Sequence, residues 1–121
     1  MPDRGRPLDE RSQAFAIEIL RFVGVLRRVG AEHVLGQQLL RAASAGGANY
    51  RAARRARSRR EFAARLAVVL EESDESVQWL ELLAAVPAAR SSQLTPLLQE
   101  ARELRAIFAA PLRTAKSRPR D

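Results

Sequence analysis

The chain has 121 residues and a formal net charge of +7 at pH 7, from 21 Lys and Arg against 14 Asp and Glu. This length allows one small domain with a single core, and the absence of cysteine excludes disulfides, thiolate nucleophiles and Cys-ligated zinc. Six aromatic residues among many Ala, Leu and Arg favour a helical fold with an aliphatic core. A basic chain is expected to meet acidic partners, of which nucleic acid is the commonest.

The first eight residues contain no apolar run of the kind that a signal peptide needs. No stretch of the chain approaches the roughly 18 apolar residues of a membrane span. We therefore expect a soluble cytoplasmic protein without membrane contact. Residues 1–8 and the basic residues 111–121 are expected to be flexible ends of one folded domain, residues 9–110.

The first predicted helix covers residues 9–30, from Asp9 as the N-cap residue to Gly30 as the C-terminal stop. Apolar side chains recur in it at alternating spacings of four and three residues, which is typical of a helix that faces a bundle core. This core stripe consists of Phe15, Ile19, Phe22, Leu26 and Val29. Three further apolar residues lie off the stripe and predict a surface for self-association: Ile17, Leu20 and Val23.

The second predicted helix, residues 32–56, has a small core face and contains Gly36, Gly46 and Gly47. A glycine inside a helix costs roughly 1 kcal/mol relative to alanine. If the helix is continuous, close approach of a neighbouring backbone would compensate, and the alternative is a break or kink near Gly46 and Gly47. The pattern matches neither a P-loop nor a dinucleotide-binding fingerprint, so a phosphate-cradling loop is disfavoured.

The third predicted helix, residues 58–86, begins with a capping box formed by Ser58 and Glu61 and ends before Pro87. Its apolar face covers about half of the circumference and includes Trp79, so we expect neighbours on two sides, one of them in an oligomer. The fourth helix, residues 95–110, begins at Thr95 and ends before Pro111. Four helices with short connections predict an all-α, antiparallel up-and-down four-helix bundle in a single domain.

The titratable residues offer little support for catalysis or metal binding. His33, the only histidine, has just the adjacent Glu32 as an acidic neighbour, so a surface or capping role is expected. Carboxylates at 71, 72, 74 and 75 share helix faces, but the chain lacks the Glu-x-x-His pairs of a di-iron bundle. We therefore expect no enzyme activity, no cofactor and no metal. Glu72 falls at the edge of the apolar face near Trp79 and is expected to need a buried partner.

Six arginines around the junction of the second and third helices are the strongest functional feature. Arg59 and Arg60 would occupy the first turn of the third helix, where the helix dipole disfavours positive charge, and a bound phosphate would relieve this. Tyr50 and Phe62 belong to core faces, which leaves no exposed platform for stacking single-stranded bases. We therefore expect nucleic-acid binding through backbone contacts with little sequence preference. This arginine cluster consists of Arg51, Arg54, Arg55, Arg57, Arg59 and Arg60.

The charge pattern leaves a second hypothesis open. Residues 51–65 hold seven arginines and one glutamate, whereas residues 71–81 hold five acids and no base, so the two segments nearly cancel. The alternative is a homo-oligomeric scaffold in which these segments pair between subunits or with a partner protein, and nucleic acid has no role.

Four stretches of the sequence together carry a family resemblance: LGQQLLRAAS at 35–44, ANYRAA at 48–53, SRREF at 58–62 and ESDESVQWLEL at 72–82. Over residues 9–110 the chain resembles a bacterial four-helix-bundle family that includes proteins encoded by intervening sequences of 23S ribosomal RNA genes. The resemblance implies a small bundle that assembles into a ring-like homo-pentamer. A related branch, the accessory variability protein of diversity-generating retroelements, binds nucleic acid and the reverse transcriptase through basic surfaces. By this resemblance the binding surface would include Arg51, Arg54, Arg55, Arg59 and Arg60.

Overall fold

The computed structural model describes residues 7–116 as four packed α-helices. They are α1 (Leu8–Gly24), α2 (Gly30–Arg54), α3 (Arg59–Ala84) and α4 (Leu94–Lys116), with a short 3-10 turn at Pro87–Ala89 before α4. Each helix packs on the next one in the chain, and α4 returns to contact α1. The predicted all-α four-helix bundle is confirmed, and residues 7–116 contain no β-strand. No helix within this range has the length and apolar content to cross a membrane.

The core lies between the four helices and is mainly aliphatic. Phe15, Ile19 and Phe22 of the α1 core stripe are buried. Leu26 is partly buried, whereas Val29 is 57% exposed because α1 ends at Gly24 and not at the predicted residue 30. The other helices bury faces that include Leu39, Leu66, Val69, Leu80, Leu104 and Phe108.

The connection between α1 and α2 differs from the sequence prediction. The amides of Val25 and Leu26 donate to carbonyls three residues back, at 3.3 and 3.1 Å, so the helix tightens and stops. Gly30, expected to end the first helix, instead begins α2 with a φ of +71°. Because L-residues with a Cβ disfavour positive φ, this turn requires glycine.

Gly30→Ala is expected to lower the free energy of unfolding by about 1–2 kcal/mol, the cost of a side chain in the left-handed region. The added Cβ would also lie 2.7 Å from Glu32 Oε1. Gly24→Ala is the matched control, because a Cβ at Gly24 would meet no atom within 4 Å. Urea unfolding of both variants measures the difference, and an equal loss at both glycines would contradict the special role of Gly30.

α2 is continuous through its three internal glycines, so the alternative of a break near Gly46 and Gly47 is not observed. At Gly36 a Cβ would lie 3.1 Å from Leu26 Cδ1, a close approach made by a side chain and not by backbone. At Gly46 the nearest atom to such a Cβ would be 3.6 Å away, and at Gly47 it would be 4.0 Å away. Close packing therefore explains Gly36 but neither of the other two.

α4 begins at Leu94, one residue before the predicted start, and continues through Pro111 to Lys116. A proline inside a helix removes one hydrogen bond, but Leu112 in the next position packs against the core. This packing favours continuation of the helix past the predicted end at residue 110. The predicted flexible ends were residues 1–8 and 111–121. Residue 8 instead begins α1 and residues 111–116 belong to α4, whereas residues 1–6 and 117–121 lie outside the described residues.

A buried ion network joins α1 to α4 and was not predicted. The Arg11 side chain is only 5% exposed. Its Nε and Nη2 donate to the two carboxylate oxygens of Glu100 at 2.8 and 2.7 Å, and Nη2 lies 2.8 Å from Glu103 Oε1. The bonds to Glu100 are the main reason that the pKa of Arg11 is raised above its ordinary value. Because contact between α1 and α4 is sparse, these ion pairs supply a main link between the two helices.

Candidate nucleic-acid interface

One end of the bundle brings together the start of α1, the end of α2, the start of α3 and the end of α4. Asp9 at the start of α1 forms an ion pair with Arg54 at the end of α2. The ring centroid of Tyr50 in α2 lies 5.3 Å from that of Phe108 in α4. All members of the arginine cluster lie at this end, which we call the arginine end.

Local structure determines how the arginine cluster is presented. The last turn of α2 carries two of the arginines, where positive charge suits the helix dipole. The chain turns over residues 55–58, and α3 begins at Arg59. Ser58 Oγ accepts from the amide of Glu61 at 3.0 Å, and Glu61 Oε2 accepts from the amide of Arg57 at 2.8 Å. The Ser58 cap is therefore confirmed, and Glu61 reaches back to the residue before it.

The six side chains are all exposed, but they are not equivalent. Arg54 forms an ion pair with Asp9, and Arg59 also interacts with another group of the protein. The other four have no carboxylate partner within residues 7–116: Arg51, Arg55, Arg57 and Arg60. These four guanidinium groups are therefore the members of the cluster that are most available to an external anion.

The acidic segment 71–81 is largely neutralised by arginines of the same chain. Four of its five acids have an arginine partner on another helix. The shortest contacts are Glu75 with Arg41 at 2.5 Å, Asp74 with Arg105 at 2.9 Å and Glu81 with Arg102 at 2.9 Å. Within the subunit, these acids pair with α2 and α4 and not with the arginine cluster.

Glu72, expected to need a buried partner, instead pairs with the exposed Arg41. The Glu72 side chain is 14% exposed, and its Oε2 lies 3.5 Å from Arg41 Nη1. Burial raises the pKa of Glu72, and the charge of Glu75 raises it further. The carboxylate lies on the contact between α2 and α3. Among the described residues, no group of three His, Asp or Glu side chains is placed to hold a metal.

Glu61 is the acid inside the segment of the arginine cluster, and its stability contribution should depend on pH. The hydrogen bond from the Arg57 amide is the main reason that the pKa of Glu61 lies below its ordinary 4.5, and Arg65 lowers it further. Because the folded pKa is the lower one, ionised Glu61 stabilises the native state above the ordinary value. This contribution is lost as the pH falls through the folded pKa.

Glu61→Gln should therefore reduce the free energy of unfolding at neutral pH and leave it unchanged below the folded pKa. Urea unfolding at the two pH values measures this effect. Glu71→Gln removes an exposed carboxylate from the same helix and serves as the control for the change in charge. A loss that is equal at both pH values would contradict the role assigned to the Glu61 carboxylate.

The aromatic residues near the arginine end pack inward. Tyr50 and Phe62 are half-buried against the core, and burial raises the pKa of the Tyr50 hydroxyl. Because packing occupies these rings, the described part of this end presents guanidinium groups rather than stacking platforms.

α4 adds one arginine that was predicted to lie in the tail. Because α4 continues through Pro111, Arg113 lies on the helix beyond Phe108 and therefore at the arginine end. Its side chain is exposed. The apolar Leu112 next to Pro111 was the sequence signal for a longer helix.

The four residues predicted for an oligomer interface differ in their solvent exposure. Ile17 and Leu20 are 40% and 54% exposed, whereas Val23 and Trp79 are half-buried against the core. The Trp79 Nε1 is buried without an acceptor among the described residues. Further apolar exposure, which was not predicted, lies on Val25 and Val29 of the connection between α1 and α2 and on Val34 in the first turns of α2.

His33 lies away from the arginine end, on a surface groove beside Glu32. Glu32 is almost fully buried and forms an ion pair with Arg27 at 3.1 Å. The described residues that line this groove include no serine, threonine or cysteine.

Comparison with known proteins identifies a matching family and a solved structure of similar fold. The family described as 23S rRNA-intervening sequence protein matches residues 9–110. A crystal structure of a protein with unknown function from the S23 ribosomal protein family of Bacteroides thetaiotaomicron is 28% identical, with a TM-score of 0.79. The similarity covers 88% of this chain and 98% of that one. No curated protein gives a significant match.

Proposed function

We propose that this chain, which belongs to the 23S rRNA-intervening sequence protein family, is a non-enzymatic accessory protein that binds nucleic acid through its arginine end. The guanidinium groups hold phosphates with little sequence preference, because their planar forks match phosphate geometry without contacting base edges. The protein acts in the cytoplasm.

The observation that carries the proposal is the unequal pairing of charges along the chain. Four of the five acids in segment 71–81 have arginine partners on neighbouring helices. Within residues 7–116 four arginines of the cluster have no carboxylate partner for their side chains: Arg51, Arg55, Arg57 and Arg60. An arginine whose charge is uncompensated in the subunit gains most from a polyanion, since phosphate contact releases counterions from the nucleic acid. The exposed Arg113 extends the same surface onto α4.

We propose further that the protein acts as a homo-oligomer, with the five-subunit ring of the resembling family as the expected form. Exposed Ile17 and Leu20 supply apolar surface for subunit contacts. Repeated arginine ends would multiply weak phosphate contacts through effective concentration. A reverse transcriptase is the protein partner if the chain serves a retroelement.

Salt-titrated binding tests the proposed function. Four phosphate contacts predict a loss of about 100-fold in affinity for a labelled duplex DNA or hairpin RNA between about 50 and 200 mM salt. Fluorescence anisotropy of the full chain measures this loss. Binding that is undetectable, or that does not change with salt, would overturn the proposal.

The second candidate function is the homo-oligomeric protein-interaction scaffold without nucleic-acid binding. The exposed valines at the connection between α1 and α2 favour it, because apolar surface of this kind suits a protein partner. In the scaffold the arginine cluster pairs with acids of another subunit, so changing Arg54, Arg55 and Arg57 to Ala should reduce the oligomer mass in light scattering. An unchanged mass would count against the scaffold.

A further inference from the structure

A small cavity between the helices, partly open to the surface, has a wall to which all four helices contribute. Its volume is about 20 Å³. On α2 the wall is made of residues with almost no side chain, Ala42, Ala43, Gly46 and Gly47. Its serines are Ser12 of α1 and Ser73 and Ser76 of α3.

The two glycines of the wall have no close neighbour. A Cβ at Gly46 would meet Glu72 Cβ only at 3.6 Å, and a Cβ at Gly47 would meet the Ser12 carbonyl oxygen only at 4.0 Å. Alanine would therefore fit at both positions and would suit a helix better. No close contact requires glycine at either position, and both residues line the cavity.

The unpaired hydroxyl group of Ser12 indicates what occupies the cavity. The residue is 5% exposed, and its Oγ is buried and has no hydrogen-bond partner among the described residues. Buried hydroxyl groups are rarely left without a partner, because an unmade hydrogen bond costs the full hydration of the group. Ser76 Oγ donates to the carbonyl of Glu72 at 3.0 Å, which leaves its lone pairs free to accept.

We infer that one ordered water molecule occupies this cavity and bridges Ser12 Oγ of α1 to Ser76 Oγ of α3. The volume exceeds the roughly 10–15 Å³ that the centre of one water requires, and it is far below the several hundred Å³ of an organic ligand site. Purely apolar cavities stay dry, but this wall includes three serines, of which Ser12 and Ser76 are buried. The bridge links diagonally opposed helices at a level where α2 provides only small residues.

Water-to-protein cross-relaxation in NMR spectra of the full chain tests the inference. We expect long-lived water cross-peaks at protons of Ser12 and Gly47 in the wild type. They should disappear in Ser12→Ala and remain in Ser44→Ala, which removes an exposed hydroxyl from α2. Absence of the cross-peaks in the wild type, or their persistence in Ser12→Ala, would overturn it.

A crystal structure of the wild type gives a second test that does not depend on the folding of the variant. It should show a water within hydrogen-bond distance of both hydroxyl groups, roughly 2.5–3.0 Å. A dry cavity, or a wall that has closed on itself, would overturn the inference.

Discussion

Arg11→Met is expected to lower the free energy of unfolding by about 3–5 kcal/mol, the usual cost of removing one partner from a buried ion pair. Methionine keeps most of the aliphatic volume but leaves the carboxylates of Glu100 and Glu103 close together without their cation. Because the Arg11 side chain is 5% exposed and the two acids are 16% and 23% exposed, solvent screens this loss only in part. Urea unfolding followed by circular dichroism measures it.

Two controls separate the buried network from a general loss of charge. Arg21→Met removes an arginine that pairs with Glu18 on the exposed face of α1, and it should cost less than about 1 kcal/mol. Adding Glu100→Gln and Glu103→Gln to Arg11→Met removes the stranded charges and should recover part of the stability. An Arg11→Met protein no less stable than Arg21→Met would contradict the role assigned to the network.

Removal of the four unpaired guanidinium groups is expected to weaken nucleic-acid binding by about 100-fold or more at roughly 50 mM salt, because a phosphate that meets no guanidinium keeps its counterions. We call this protein the cluster variant; it carries Ala at Arg51, Arg55, Arg57 and Arg60. All four positions are exposed, so the fold should be retained. Anisotropy titration against duplex DNA and hairpin RNA measures the change.

A charge-matched variant is the control for the cluster variant. It removes the same number of positive charges, taken from arginines that already have carboxylate partners: Arg21, Arg41, Arg102 and Arg105. It should retain most of the affinity, because these guanidinium groups lie outside the arginine end. An equal decrease in affinity in the two variants would mean that net charge, and not the arginine end, determines binding.

The fold could be predicted because core positions leave a periodic signal in the sequence. Phe15, Ile19 and Phe22 recur at helical spacing and are buried as expected. Helix ends depend on contacts that the sequence does not reveal. The glycine at 30 was predicted as a stop but begins α2, and α4 continues past Pro111 with Leu112 packed on the core.

The position of the candidate site could be predicted from the sequence, but the ion-pair partners of the arginines could not. The capping box and the run of arginines placed the cluster at a helix junction, and its side chains are exposed there. The partner of Arg54 lies 45 residues away in the sequence, and that of Arg11 lies 89 residues away. Spacing rules cover only neighbours on one helix, so no such rule separates the buried Arg11 from the exposed arginines.

The salt dependence of binding tests the central claim most directly. For the wild type, log Kd plotted against log salt concentration should rise with a slope of about 3 to 4, or more steeply in an oligomer, since each phosphate contact contributes about 0.9. The cluster variant should show only a small part of this slope, and the charge-matched variant should keep it. A wild-type slope near zero, or one that the cluster variant retains in full, would contradict the account.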